Sequence, residues 1–159
     1  MPFLIDGYNL LWSVHKTGED LEPVSDIQLC YIVGRYLKLV GESGQIVFDG
    51  TGPPDKTGFD NIGSLEVFFS GRSTEADEVI ENKIKSNTAP VRLTVVSSDR
   101  RLRKAARAKK ATAVKSETFW HNILRQLNKK KTDTEPMEKR SGITTGETKQ
   151  WLKFFGIEQ

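Results

Sequence analysis

Acidic residues follow four short apolar runs of this sequence, and they are Asp6, Asp49, Asp77 and Asp99. A few apolar residues that lead into polar turn residues predict a buried strand that opens into a loop. If such strands are parallel neighbours, their carboxyl ends meet at one edge of a sheet, where open α/β proteins place their binding sites. Carboxylates that lie a few ångströms apart repel one another, and a cluster of them typically binds a hard divalent cation. The sequence therefore predicts a cation-binding edge.

Helix capping offers a simpler interpretation of each acid taken alone. An Asp between a strand and a helix most often accepts hydrogen bonds from the free amides of the first helical turn. Four acids at four strand exits favour a functional cluster over four independent caps. Asp6 is the least cap-like of them, because Gly7-Tyr8-Asn9-Leu10 is a poor helix start and the next strong capping signal is at Ser25. We therefore expect the acids to share a site.

Seven basic residues without an intervening acid follow directly after Asp99, and they are Arg100, Arg101, Arg103, Lys104, Arg107, Lys109 and Lys110. The net charge of the whole chain is only +3, so this cluster is local. A charge run is commonly a solvated helix face. Beside an acidic edge, however, it suits a polyanion whose phosphates are held by Lys and Arg. We expect it to contact nucleic acid.

Composition restricts the class of protein and its chemistry. A chain of 159 residues with 36% hydrophobic residues is long enough for one packed domain. Cys30 is the only cysteine, which excludes a disulfide, and no apolar stretch approaches membrane-spanning length. Because the sequence contains neither a phosphate loop nor a dinucleotide fingerprint, we expect no small-molecule cofactor. Because no stretch is long and apolar enough to span a membrane, we expect no membrane partner. The expected location is the cytoplasm.

Strand and helix patterns alternate along residues 1–131, which we predict to form one α/β domain. Thr74 is expected to cap a helix that carries Asp77 in its first turn and Glu81 one turn later on the same side. Residues 132–159 read as a polar linker and a C-terminal helix with four large apolar residues, Trp151, Leu152, Phe154 and Phe155. We expect that helix to dock on the domain, since so apolar a face is unfavourable in water.

Four stretches in this order resemble the signatures of YacP-like NYN domains, which are bacterial members of the PIN-like nuclease superfamily. The stretches are Asp6–Leu11, Val47–Asp49, Thr74–Asp77 with Glu81, and Ser97–Arg100. The resemblance covers roughly residues 2 to 128, and the segment from Gly142 to Ile157 is similar to tails in that group. It implies a three-layer α/β/α fold with a central, mainly parallel sheet and a ribonuclease site that depends on Mg²⁺ or Mn²⁺.

By position, the resemblance assigns the metal ligands to Asp6, Asp77 and Asp99, with Asn9 assisting catalysis. Asp49, Glu81 and Ser98 would be nearby polar residues of less defined role. Many relatives carry a further acid shortly after the last of these Asp residues, whereas Arg100, Arg101, Leu102 and Arg103 stand there in this chain. We therefore expect one firmly held metal ion rather than two.

The function predicted is a metal-dependent endoribonuclease that hydrolyses RNA phosphodiester bonds. One alternative is a non-catalytic RNA- or ribosome-binding module on the same fold. A structure-specific DNA nuclease is disfavoured because the chain lacks room for a helical arch and a further DNA-binding domain. Tyr8 and Trp12 could stack on unpaired bases or pack in the core, and core packing is expected for Trp12. The RNA target, its presentation by a ribosome and the oligomeric state stay open.

Overall fold

Short runs rich in β-branched and aromatic residues form five parallel strands in the computed structural model, which describes residues 2–17 and 24–134. The strands are β1 (Phe3–Asp6), β2 (Gly44–Phe48), β3 (Leu65–Phe69), β4 (Thr94–Val96) and β5 (Thr112–Val114). They lie side by side in the order β3-β2-β1-β4-β5. The chain thus builds outward from β1 to β3 and then returns to β4 on the other side of β1. This makes the junction of β1 and β4 the switch point of the sheet.

Within the described residues, five α-helices lie between or after the strands and cover both faces of the sheet. They are α1 (Gly7–Thr17), α2 (Asp26–Val40), α3 (Ala76–Ser86), α4 (Arg100–Ala108) and α5 (Ser116–Thr134). Two short 3₁₀ turns, Thr57–Phe59 and Pro90–Arg92, precede β3 and β4. The predicted three-layer α/β/α fold with a parallel central sheet is confirmed.

The alternation of side chains along each strand divides the core between the two faces. Ile5 and Ile46 pack with buried residues of α1, α2 and α5 on one face. Leu4 and Val47, their neighbours in sequence, pack with buried residues of α3 and α4 on the other. Both faces of the central strands are buried, as a parallel sheet between two helical layers requires. This rigid centre fixes the strand ends from which the acidic side chains extend.

Helix α1 begins at Gly7, so the prediction that Gly7–Leu10 is a poor helix start is wrong. Packing explains the difference. Gly7 lies so close to the Phe48 ring that a Cβ atom would come within 2.5 Å of it. Buried Leu10 and Val14 then hold the helix against the core. Tertiary contacts of this kind routinely override weak local propensity.

Local capping signals predicted α2 correctly. Ser25 and Gln28 form the expected capping box, in which each side chain bonds the other residue's backbone amide. The helix ends at Gly41, whose φ of 69° is a left-handed conformation that glycine adopts without strain. By contrast, Thr74 does not cap α3, because the N-cap position is held by Glu75.

Trp12 does not belong to the core, contrary to expectation. Its side chain is 69% exposed on α1, whereas Trp120 on α5 is buried. The predicted C-terminal helix lies outside the described residues. The predicted linker does too, apart from its first residues, since α5 runs to Thr134. Within residues 2–17 and 24–134, no helix combines the length and apolarity that a membrane crossing requires.

Candidate active site

The predicted site residues come from elements that meet at the switch point of the sheet. Asp6 is the last residue of β1, and Asp99 follows β4 and begins α4. Strands β1 and β4 pair in parallel with Ile5 opposite Val96, so their carboxyl ends open at the same level. Asp77 enters from the first turn of α3. The fold thus brings three separate parts of the sequence to one edge of the sheet.

Asp6 is the most buried of these acids, with 7% of its surface exposed. Its carboxylate accepts a hydrogen bond of 3.0 Å from the Ser97 hydroxyl and one from the backbone amide of Asn9. Burial, together with the negative charges of Asp77 and Asp99, raises the pKa of Asp6 to about 6, although the hydrogen bonds from Ser97 and Asn9 oppose the rise. An ionised Asp6 is therefore held in an unfavourable environment at neutral pH.

Asp77 and Asp99 are close neighbours. Burial and the charge of Asp99 raise the pKa of Asp77, a hydrogen bond between the two carboxyl groups adds to the rise, and the guanidinium of Arg101 opposes it. Asp99 also caps α4, accepting a 2.8 Å bond from the Arg101 amide. Asp99 is therefore a helix cap and at the same time a close neighbour of Asp77.

Ser97 links two of the acids and was missed in the sequence. Its fully buried hydroxyl donates to Asp6 and accepts a 3.0 Å bond from the Asp99 amide. One hydroxyl thus sets the position of Asp6 relative to the backbone that carries Asp99. A buried serine directly after an apolar strand was the available signal, but only the strand order reveals its partner on β1.

Asn9 lies at the site but serves a positioning role through its side-chain oxygen. That oxygen accepts a 2.9 Å bond from the Ser98 amide and a 2.6 Å bond from the Ser116 hydroxyl. Asn9 therefore connects α1 to the exit of β4 and to the start of α5. Its backbone amide at the same time bonds Asp6.

Glu117 is a further acid at this edge that the sequence did not reveal. It accepts hydrogen bonds from the hydroxyls of Ser98, at 2.8 Å, and Ser13, at 3.0 Å. These bonds, that from Ser98 foremost, lower the pKa of Glu117. Ser98 also accepts a 3.1 Å bond from the Ser116 amide. Ser98, which was predicted to lie near the site, is thus held in place by two residues of α5, Ser116 and Glu117. Glu117 itself belongs to α5, whereas the further acid of many relatives follows Asp99 on α4.

Asp49 and Glu81 support neighbouring elements. Asp49 follows β2 and accepts bonds from the Ala76 amide at 3.0 Å and the Ser70 hydroxyl at 3.2 Å, so it satisfies the first amide of α3. Glu81 forms an ion pair with Arg101 and accepts a 2.8 Å bond from its Nε. The guanidinium of Arg101 is thus paired with an acid of α3 and is less available to bind a phosphate.

Most of the predicted basic residues lie on helix α4, which starts directly after Asp99. Arg100, Lys104 and Arg107 are exposed at helical spacings of four and three, which place them on one face. Lys109 and Lys110 at the helix end are also exposed, whereas Arg103 is half-buried and its Nη1 atom has no hydrogen-bond partner. The exposed face therefore offers a row of cations that begins at the acidic site.

The acidic residues match a hard divalent cation in chemistry. Oxygen donors are the ligands that Mg²⁺ and Mn²⁺ prefer. The pKa values of Asp6 and Asp77 are raised by burial first and then by repulsion between the carboxylates, and a bound cation would offset both effects. Across the described ranges, however, no three His, Cys, Asp or Glu side chains converge in a geometry that could hold a metal ion. The acids are neighbours whose side chains are not gathered around one point.

Comparison with known proteins agrees with the architecture. The sequence model of the YacP-like NYN domain matches residues 3–153. A crystal structure of Rae1 (YacP) from Bacillus subtilis is similar, with a TM-score of 0.65 and 20% identity over 98% of this chain and 92% of that chain. A mutant of the same protein gives a TM-score of 0.63 and 21% identity over 93% and 89% of the two chains. None of the curated proteins matches the sequence.

Proposed function

Because the chain belongs to the YacP-like NYN domain family, whose fold is that of PIN-like nucleases, we propose that it is a metal-dependent endoribonuclease. The observation that carries the proposal is the cluster of Asp6, Asp77 and Asp99 at the junction of β1 and β4. Each pair in this cluster is close enough for one charge to raise the pKa of another carboxyl group. Such mutual destabilisation is typical of sites built for a cation.

The ligands proposed for Mg²⁺ or Mn²⁺ are these three carboxylates. A cation held by them would supply a Lewis acid for the scissile phosphate and would lower the pKa of an attacking water. Ser97 keeps Asp6 and the Asp99 backbone in fixed relation. Asn9 keeps the β4 exit against α1 and α5. These neutral groups orient the acids without adding further negative charge.

Phosphate binding falls to the exposed cations of α4 under this proposal. Arg100, Lys104 and Arg107 extend along one helix face from the acidic site, so they can hold the backbone on one side of the cleaved bond. The proposed substrate is cytoplasmic RNA, including RNA presented by a ribosome.

One observation favours a second candidate, a non-catalytic RNA-binding module. Among the described residues, the acidic side chains do not converge in a ligating arrangement. Binding of substrate and cation together would have to gather them. A module that only binds RNA would need no such rearrangement.

Incubation of the purified chain with end-labelled single-stranded RNA separates the two candidates. We expect internal cleavage with Mn²⁺ or Mg²⁺, none with EDTA, and strong suppression in Asp77→Asn. The exposed Asp55, whose carboxylate accepts hydrogen bonds from Thr57, supplies the matched control Asp55→Asn, and that variant should cleave normally. RNA binding without metal-dependent cleavage would favour the non-catalytic module.

A further inference from the structure

Two aromatic side chains stand exposed on α1, the helix that begins directly after Asp6. Tyr8 is 41% exposed and Trp12 is 69% exposed, although each would gain stability from burial. Neither belongs to the buried clusters that hold the two helical layers to the sheet. The catalytic scheme above uses neither of them. We therefore looked for a ligand that could cover these two side chains.

Helical spacing arranges these side chains in a row. Tyr8, Trp12 and Lys16 are separated by four residues each, so they lie on one side of α1 with a rise of about 6 Å per step. We call this set the aromatic row. It begins two residues after Asp6, and Lys16 is exposed at its far end. A chain bound along it would run away from the acidic cluster.

Contacts with the core fix the near end of the row. The Tyr8 ring meets Phe48 edge to face, with centroids 5.0 Å apart and planes inclined at 64°. This arrangement holds the ring against the strand that precedes Asp49. A pre-oriented aromatic face loses little conformational freedom when a flat ligand stacks on it.

Charge around the row favours a neutral, flat ligand near Tyr8. Burial first, and then the negative charges of Asp26 and Asp49, raise the pKa of the Tyr8 hydroxyl. A phosphate would be repelled by the same two carboxylates. An uncharged nucleobase would not be, and the ammonium group of Lys16 can meet a phosphate farther along the strand.

We propose that the aromatic row binds unpaired bases of a single RNA strand by stacking on Tyr8 and Trp12, next to the bond that is cut. This inference rests on the proposed function, and it names the substrate class as single-stranded rather than duplex RNA. Base-paired bases present no free face to side chains of this kind, whereas unpaired ones do.

The test is equilibrium binding of two labelled oligonucleotides, with Ca²⁺ replacing the catalytic ion to suppress cleavage. One is a single-stranded RNA and the other is an abasic strand of the same length and charge. Trp12→Ala should weaken binding of the RNA about 5- to 150-fold and leave the abasic strand unaffected. Trp12→Phe should restore most of the loss, because a ring remains.

The chain offers a matched control in Tyr31, which is 43% exposed on α2. Tyr31→Ala should bind both strands as the wild type does, whereas Tyr8→Ala should weaken only the RNA. An unchanged RNA affinity in Trp12→Ala would overturn the inference, and a lowered melting temperature alone would assign Trp12 to contacts within the protein. Equal losses for both strands, or a wild type without preference for bases, would overturn it as well.

Cleavage measured on the same preparations distinguishes this inference from the proposed function. If the wild type cleaves RNA and Trp12→Ala binds it normally, stacking is wrong and the ribonuclease proposal stands. If Trp12→Ala loses base-dependent affinity while neither the wild type nor any variant cleaves RNA, base stacking on the aromatic row is confirmed and the ribonuclease proposal fails.

Discussion

Replacement of Asp6 by Asn should stabilise the metal-free protein at neutral pH. The carboxyl group is 7% exposed, and burial together with its acidic neighbours raises its pKa from 3.8 to about 6. A tenfold change in proton affinity corresponds to about 1.4 kcal/mol, so ionised Asp6 costs the folded state about 3 kcal/mol. An Asn side chain keeps the shape without this charge.

The direction of the pH dependence follows from which state holds the proton. Between about pH 4 and pH 6 the folded protein keeps a proton on Asp6 that the unfolded chain has already released. The free energy of unfolding therefore falls as pH rises through this window and is level above it. Asp6→Asn lacks this contribution, so its stability should fall less between pH 4 and pH 7.5.

The net gain is smaller than the full electrostatic cost. Ser97 and the backbone amide of Asn9 both donate to the Asp6 carboxyl group, and an Asn side chain, which has one acceptor oxygen instead of two, satisfies them less well, at a cost of about 1 kcal/mol. We therefore expect Asp6→Asn to be about 2 kcal/mol more stable than the wild type at pH 7.5. For a chain of this size that is about 4–8 °C in melting temperature.

Thermal unfolding in EDTA at pH 4 and pH 7.5 measures the effect. Asp60→Asn, which changes an exposed carboxylate, is the control and should follow the wild type. A melting temperature of Asp6→Asn at or below that of the wild type at pH 7.5 would refute the reasoning. Parallel pH profiles for the two proteins would refute it equally.

Three further predictions concern packing, hydrogen bonding and phosphate binding. Gly7→Ala would place a Cβ atom 2.5 Å from the Phe48 ring, so we expect a loss of about 1–3 kcal/mol in chemical denaturation. A stability equal to that of the wild type would show that the ring moves aside freely. Glu117→Gln should cost about 1 kcal/mol at pH 7. Because hydrogen bonds lower the pKa of Glu117, that stability is present above its usual 4.5 and lost as pH falls, so the variant and wild type should converge in acid unfolding. Replacing Arg100, Lys104 and Arg107 by Gln should reduce the slope of log affinity for RNA against log salt by about 0.7 per lost contact. Arg101→Gln, whose side chain is engaged by Glu81, is the matched control and should change the slope little.

Local sequence patterns were sufficient to predict the strands and the acids that follow them. Asp6 and Asp99 lie at the site because apolar runs end directly before them, and parallel strands align those ends. The capping box of α2 was equally readable, since its two partners are three residues apart. Interactions of this kind depend on short stretches of chain.

Contacts between distant residues could not be predicted in the same way. Ser97 bonds Asp6 across 91 positions and Ser13 bonds Glu117 across 104, so both pairs depend on the order of strands in the sheet. The start of α1 was missed because a glycine weakens a helix in isolation, whereas here it allows close approach to Phe48. Trp12 was misassigned because helical spacing alone does not reveal which side faces solvent.

The central claim is that Asp6, Asp77 and Asp99 act together on one cation during RNA cleavage. The most direct measurement is the single-turnover cleavage rate of Asp77→Asn, Asp99→Asn and the double variant at saturating Mn²⁺, with folding checked by circular dichroism. Residues that act as a unit show strongly non-additive effects. We predict that the double variant is about as slow as the slower single variant. Full activity in Asp99→Asn, or a double loss equal to the product of the two single losses, would contradict the claim.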